Sequence, residues 1–162
     1  MSKKKVLFAG SFDPFTNGHL DIARRALQLF DELIIGVGDN PKKKYVISAQ
    51  QRCTSIQKCF SPEDAVSVLS FDGLTIDFCR EHQINCIVRG IRDSKDLSFE
   101  HPIALANRDM EPNVDTMFLL ADPSLQFVSS SLCKEIYTYG GDISKYIPAP
   151  VYDVFCECYQ RK

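Results

Sequence analysis

Short, continuously apolar runs recur along the chain at residues 6–9, 33–37, 66–71, 86–88 and 116–120, and most are separated by helix-length segments. Strands that are covered on both faces read as unbroken apolar runs, whereas helices that cover a sheet show a period near 3.6. The first predicted helix, residues 20–30, sets Ile22, Ala23, Ala26, Leu27 and Phe30 on one face and leaves Asp21, Arg24, Arg25 and Gln28 mostly in water. A second begins at Ser48, where Ser48-Ala-Gln-Gln51 matches a capping box, and runs to about Phe60 before Ser61-Pro62 stops it. The third spans residues 74–82. A fourth pattern reaches Met110 and contains Pro102, which predicts either a bend at that point or a helix that begins only a little before it. Helices at residues 129–139 and 150–162 complete the chain, divided by Gly140-Gly141 and Tyr146-Ile-Pro-Ala-Pro150. The alternation predicts an α/β class: a single Rossmann-like doubly wound domain over residues 1–162, with a five-stranded parallel sheet flanked by helices.

Composition narrows this little. A length of 162 residues suits one core, able to bury about 70% of the surface of the unfolded chain. Hydrophobic and charged fractions of 44% and 25% are ordinary for a soluble globular protein, and no apolar run approaches the roughly 18 residues of a membrane span. The start, Met1-Ser-Lys-Lys-Lys5 and then Val6-Leu-Phe-Ala9, imitates a signal peptide, but Ser11 and Asp13 cut the apolar region short, so the expected location is the cytoplasm. The seven cysteines are odd in number and include no Cys-x-x-Cys pair, which predicts reduced thiols used as core filler. Cys156 and Cys158 are adjacent enough to suggest a metal pair, yet two positions on a helix point about 200° apart. A net charge of −2 offers no general attraction to nucleic acid or to acidic membranes. Any anion site must therefore be local.

Such sites are visible where strands end. Gly10-Ser-Phe-Asp-Pro-Phe-Thr-Asn-Gly-His19 lies between the first apolar run and the first helix, the place where free helical N–H groups and a positive dipole end meet an anion. Gly10 and Gly18 are expected to let backbone approach a ligand, Gly18 by a conformation that a side chain would disfavour. Lys42-Lys43-Lys44 follows the second strand, Arg89-Gly90-Ile91-Arg92 follows the fourth, and Ser129-Ser130-Ser131 opens a helix. In an open parallel sheet these ends converge on one crevice. Each has a plainer reading too: His19 as a polar cap, the lysines as a solvated surface, the serines as an N-cap, the arginines as partners of surface acids.

Taken together, Gly10-x-Phe-Asp-Pro-x-Thr-x-Gly-His19, Arg89-Gly-x-Arg92 and Val128-Ser-Ser-Ser131 resemble the bacterial phosphopantetheine adenylyltransferases, within the nucleotidyltransferase superfamily that carries (H/T)xGH. The likeness covers nearly the whole chain, and Thr16, where many other members of the superfamily have histidine, makes it specific in combination with Arg89-Gly-x-Arg92 and the serine triplet. It implies transfer of the adenylyl group of ATP to 4′-phosphopantetheine, giving dephospho-coenzyme A and pyrophosphate by direct in-line displacement. The alternatives are another small-molecule nucleotidyltransferase, such as one acting on nicotinamide mononucleotide, and a noncatalytic nucleotide-binding module.

The resemblance also implies roles. His19, Lys43 and Arg92 would be catalytic. Ser11, Phe12, His19, Gly90, Ile91, Arg92, Glu100, Leu125, Gln126, Phe127, Val128 and the three serines 129–131 would bind ATP, and Ser11, Lys43, Thr75 and Arg89 the phosphopantetheine. Mg2+ would be carried mainly by ATP, and six chains would form a homohexamer. Phe99 for tyrosine, Leu125 for an aromatic, Thr75 for an apolar residue, Ser11 for threonine and Pro102 after Glu100 depart from the family pattern. The reaction fits residues of this kind, because a phosphate monoester is largely a dianion at neutral pH and needs no general base. What it needs is relief of repulsion, since one pair of unit charges at about 4 Å costs roughly 4 kcal/mol at an effective dielectric near 20.

Overall fold

A computed structural model describes residues 3–159. Five strands, β1 (Lys5–Gly10), β2 (Glu32–Gly38), β3 (Val66–Phe71), β4 (Cys86–Ile91) and β5 (Asp115–Leu120), form one sheet in the order β3-β2-β1-β4-β5, with every neighbouring pair parallel. The helices are α1 (Asn17–Leu29), α2 (Ala49–Gln57), α3 (Thr75–His82), α4 (Ser94–Met110), α5 (Ser130–Thr138) and α6 (Ala149–Cys158). This is the Rossmann-like α/β arrangement expected from the alternation of patterns.

Strand alternation divides the core. Val6 and Phe8 of β1 join Leu33, Ile35 and Val37 of β2 in a cluster with α1, α2, α5 and α6, while Leu7, Ala9 and Ile34 point the other way, to Ile76, Phe78 and Cys79 of α3. Both faces of the central strands are thus covered, which is why their sequences show no polar alternation. The strand order places β1 at the switch point: from β1 the chain builds outward through β2 and β3, then crosses to β4 on its other side. The C-terminal ends of β1 and β4 consequently diverge into a crevice.

The boundaries differ from expectation in instructive places. α1 starts at Asn17 rather than Leu20, because Thr16 caps it. α2 ends at Gln57 rather than Phe60; the last N–H groups, of Cys59 and Phe60, reach back only three residues, to Ile56 and Gln57. β4 continues to Ile91, so Arg89 and Gly90 stand on a strand rather than in a loop. α4 runs unbroken through Pro102 from Ser94, which overturns the expectation of a late start, although the proline still removes one helical N–H. α6 ends at Cys158, and residues 160–162 of the predicted last helix lie outside the described part.

Candidate active site

A cavity of about 600 Å³ occupies the crevice and brings together Ser11, Phe12, His19, Lys43, Arg89, Gly90, Arg92, Glu100, Leu125, Val128 and the serines 129–131. Five cations, Lys43, Lys44, Arg89, Arg92 and Lys134, face it against three carboxylates, Asp13, Asp96 and Glu100. All three carboxylates already accept hydrogen bonds from protein groups. The cavity is therefore electropositive in its unengaged groups. Neither Thr75 nor Ile91, Gln126 or Phe127 lines it: Thr75 begins α3, Ile91 is buried in the sheet, and the exposed Phe127 ring meets Tyr146 edge-on at 5.5 Å.

The Thr-x-Gly-His segment works as a capping box of an unusual kind. The Thr16 hydroxyl accepts from the backbone N–H of His19 at 3.4 Å, and the Thr16 backbone N–H donates to His19 Nδ1 at 3.0 Å. The same hydroxyl lies 3.1 Å from Nδ1 and completes the pairing as its donor. With Nδ1 accepting, the neutral ring carries its hydrogen on Nε2. The ring is packed among Phe8, Phe12 and Phe15, with centroid separations of 6.2, 5.1 and 5.5 Å. Burial among these rings, and then the charges of Arg89 and Arg92, push its pKa from 6.5 down to about 3. His19 is thus a neutral N–H donor at the cavity.

One of the two loop glycines differs from expectation. Gly18 sits inside α1, and the left-handed residue of this loop is Phe12, at φ 49°. A Cβ at Gly10, which lines the cavity, would stand 2.8 Å from the Phe12 ring, so that glycine makes room for the phenylalanine too. Gly18 does keep the helix start open, since its absent side chain would meet only Thr16 Oγ1 and the carbonyls of Leu125 and Val128, at 3.5 to 4.0 Å.

The arginines are held by acids that also face the cavity. Arg89 donates through Nε to Glu100 Oε2 at 2.8 Å, pairs its Nη2 with Oε1, and reaches the Ala9 carbonyl through Nη1. Glu100 is thereby committed to aiming Arg89. Arg92 forms a comparable fork with Asp96, at 2.8 and 3.0 Å, and its hydrogen bonds hold the Asp96 carboxyl below the usual carboxylate range. The serine cluster is both cap and wall: Ser129 Oγ caps Leu132 N–H at 3.1 Å, and Ser130 Oγ donates to the Pro14 carbonyl at 2.7 Å. That last bond ties the N-terminus of α5 to the loop that opens α1, so two helix starts face one cavity.

The sequence reading missed several groups here. Lys134 lies one turn after the serines on α5, a spacing that could have exposed it, and sits 3.7 Å from Asp13. Asp13 itself, singled out only for cutting short the apolar start, accepts from Val46 N–H at 2.9 Å and Ile47 N–H at 3.0 Å and joins the first loop to the second. Arg52 carried no motif at all. All seven cysteines are free, and burial pushes Cys59, Cys79 and Cys133 up to about 11, which suits filler rather than redox chemistry. Among the described residues no group of three potential ligands could hold a metal ion, and no helix is long and apolar enough to cross a membrane.

A family model described as cytidylyltransferase-like matches residues 7–136. Among curated relatives, the phosphopantetheine adenylyltransferase of Shouchella clausii is 41% identical over 158 residues, covering 98% of this chain and 99% of its own. Those of Leptospira biflexa and Flavobacterium psychrophilum are 43% and 44% identical, over 90% and 91% of this chain and 91% and 97% of theirs. Matches of this extent, on a chain whose strand ends converge on a crevice lined by lysines and arginines, make it a member of the cytidylyltransferase-like family and, within that family, of the phosphopantetheine adenylyltransferases.

Proposed function

We propose that the chain, acting as one nucleotidyltransferase domain in the cytoplasm, transfers the adenylyl group of ATP to 4′-phosphopantetheine, giving dephospho-coenzyme A and pyrophosphate. The observation that carries this reading is the meeting of His19, Lys43, Arg89, Arg92 and two helix N-termini around one cavity at the switch point of the sheet. An oxygen of the acceptor phosphate attacks the α-phosphorus, a new P–O bond forms, and the bond to the β-phosphate oxygen breaks. No proton needs to leave the nucleophile. His19 suits this chemistry as a donor, not as a base: its Nε2–H is set to hydrogen-bond the α-phosphate as charge builds there. Lys43 bridges the incoming and transferring phosphates. Arg89, aimed by Glu100, takes the acceptor phosphate with Ser11; Arg92 and the start of α5 take the triphosphate.

Mg2+ enters with ATP. The carboxylates at the cavity are already engaged by Arg89, Arg92 and the Val46 and Ile47 amides, which leaves the phosphate oxygens as its natural ligands. A homohexamer fits α4, whose only buried residue is Glu100 and whose Leu97, Phe99, Ile103, Leu105 and Met110 are exposed.

The test is pyrophosphate release from ATP with a panel of acceptors. Release is expected with 4′-phosphopantetheine, and His19→Ala is expected to slow it by at least about a hundredfold while the protein stays folded. No release from folded protein, or release only with nicotinamide mononucleotide or only from CTP, would overturn the assignment.

A further inference from the structure

Lys43 stands on an exposed turn with two lysine neighbours, and among the described residues no carboxylate pairs with any of the three. Something else must hold that turn over the cavity. The turn is built on Asn40, whose Oδ1 accepts from Lys42 N–H at 2.9 Å and whose carbonyl accepts from Lys43 N–H at 2.9 Å. Asn40 in turn donates its backbone N–H to the Tyr45 hydroxyl at 3.0 Å. The Tyr45 ring lies against the guanidinium of Arg52, 4.1 Å from centroid to Cζ.

Arg52 is only 1% exposed, although it is charged. A buried charge survives by being fully hydrogen-bonded, and the partners of Arg52 are unusually informative. Nε donates to the Ile47 carbonyl at 2.9 Å, Nη1 to the carbonyls of Ser11 at 2.6 Å and Gly38 at 3.0 Å, and Nη2 to Asp39 Oδ1 at 3.0 Å. One rigid fork thus references the loop after β1, the end of β2 and both ends of the segment that carries Lys43. Among the described residues no other side chain is hydrogen-bonded to all of them.

We infer that Tyr45, standing on Arg52, is a positioning residue that sets the height of the Lys43 ammonium relative to Ser11 and so governs the rate of transfer through Lys43. The inference rests on the reading of Lys43 as the bridge between phosphates. A displacement of about 1 Å can cost up to a hundredfold in rate, so a single stacked ring can matter without touching the reacting atoms.

The experiment is a double-mutant cycle on kcat for ATP and 4′-phosphopantetheine. Lys43→Ala is expected to lower kcat by about a hundredfold. Tyr45→Ala is expected to lower it by about tenfold in the native background, with KM for ATP changed less than threefold, and by less than twofold when Lys43 is already alanine. Tyr45→Phe keeps the ring on Arg52 and removes only the acceptor for Asn40, so it should lose about three- to fivefold, again only while Lys43 is present. It also serves if the alanine variant does not fold. Equal losses in both backgrounds would overturn the inference, because Tyr45 would then act directly on a ligand or through general stability, while the Lys43 reading would stand. Full kcat in Lys43→Ala would remove the Lys43 reading, and the role of Tyr45 with it.

Discussion

Thr16 decides what His19 is. Its backbone N–H occupies Nδ1 and its hydroxyl sits beside the same nitrogen, so the hydrogen of the neutral ring is on Nε2. A threonine two residues before a glycine-histidine pair is visible in sequence; that it completes a reciprocal cap with the imidazole is a matter of geometry. A helix start by itself does not fix the protonation of His19, since the dipole disfavours imidazolium and a bound phosphate favours it. Burial beside three phenylalanine rings, and then the charges of Arg89 and Arg92, decide it, and no spacing rule announces those rings. Because the folded value lies near 3 and the ordinary value is 6.5, the unfolded chain takes up a proton below 6.5 that the folded chain refuses. The contribution of His19 is therefore complete above about pH 6.5 and is lost progressively as pH falls toward 3. Denaturation midpoints should drop less over that range in His19→Gln than in the native protein, and 15N shifts should show the Nε2–H form down to about pH 4; imidazolium at pH 6 would contradict both.

At the scale of elements, capping was the most transferable signal. Ser48 and Gln51 make the reciprocal bonds that their spacing foretold, at 3.3 and 3.4 Å, and Ser129 caps α5 as a serine at that place should. Proline was the least transferable, because a breaker states only a cost, and packing decides whether the cost is accepted. α4 lies along β4 and β5, spans Pro102 from Ser94 to Met110, and holds Glu100 against Arg89. Pro102 is exposed, so Pro102→Ala should stabilise the protein by up to about 3 kcal/mol in urea denaturation, the helix-interior difference between these residues. No gain would mean that the helix has relaxed around the ring. Arg89 could be foreseen at the end of β4 and the extension of β4 through it could not, since an arginine and a glycine look like the end of a strand until β5 pairs with them as far as Ile91.

For the whole molecule, the informative surface is the exposed apolar flank of α4, beside the buried Glu100. Ile103 and Met110, each 42% exposed, lie seven residues apart and so on one side of the helix. Sedimentation of the purified chain should show a six-chain particle, and Ile103→Glu with Met110→Glu should shift it to smaller species while circular dichroism stays native. An unchanged particle would place the interface elsewhere.

The order of apolar runs and helix patterns by itself determined an α/β chain with five parallel strands, and the glycine-histidine, arginine and serine segments marked its strand ends as places that suit an anion. These are local properties: burial on both faces removes polar alternation, and a helix start always presents free N–H groups. Which of those groups face one another was decided only by the folded sheet. The strand order put the ends of β1 and β4 side by side, Glu100 and Asp96 then aimed the two arginines, and Arg52 fastened the Lys43 segment to the first loop through carbonyls, which every residue has and no motif can mark.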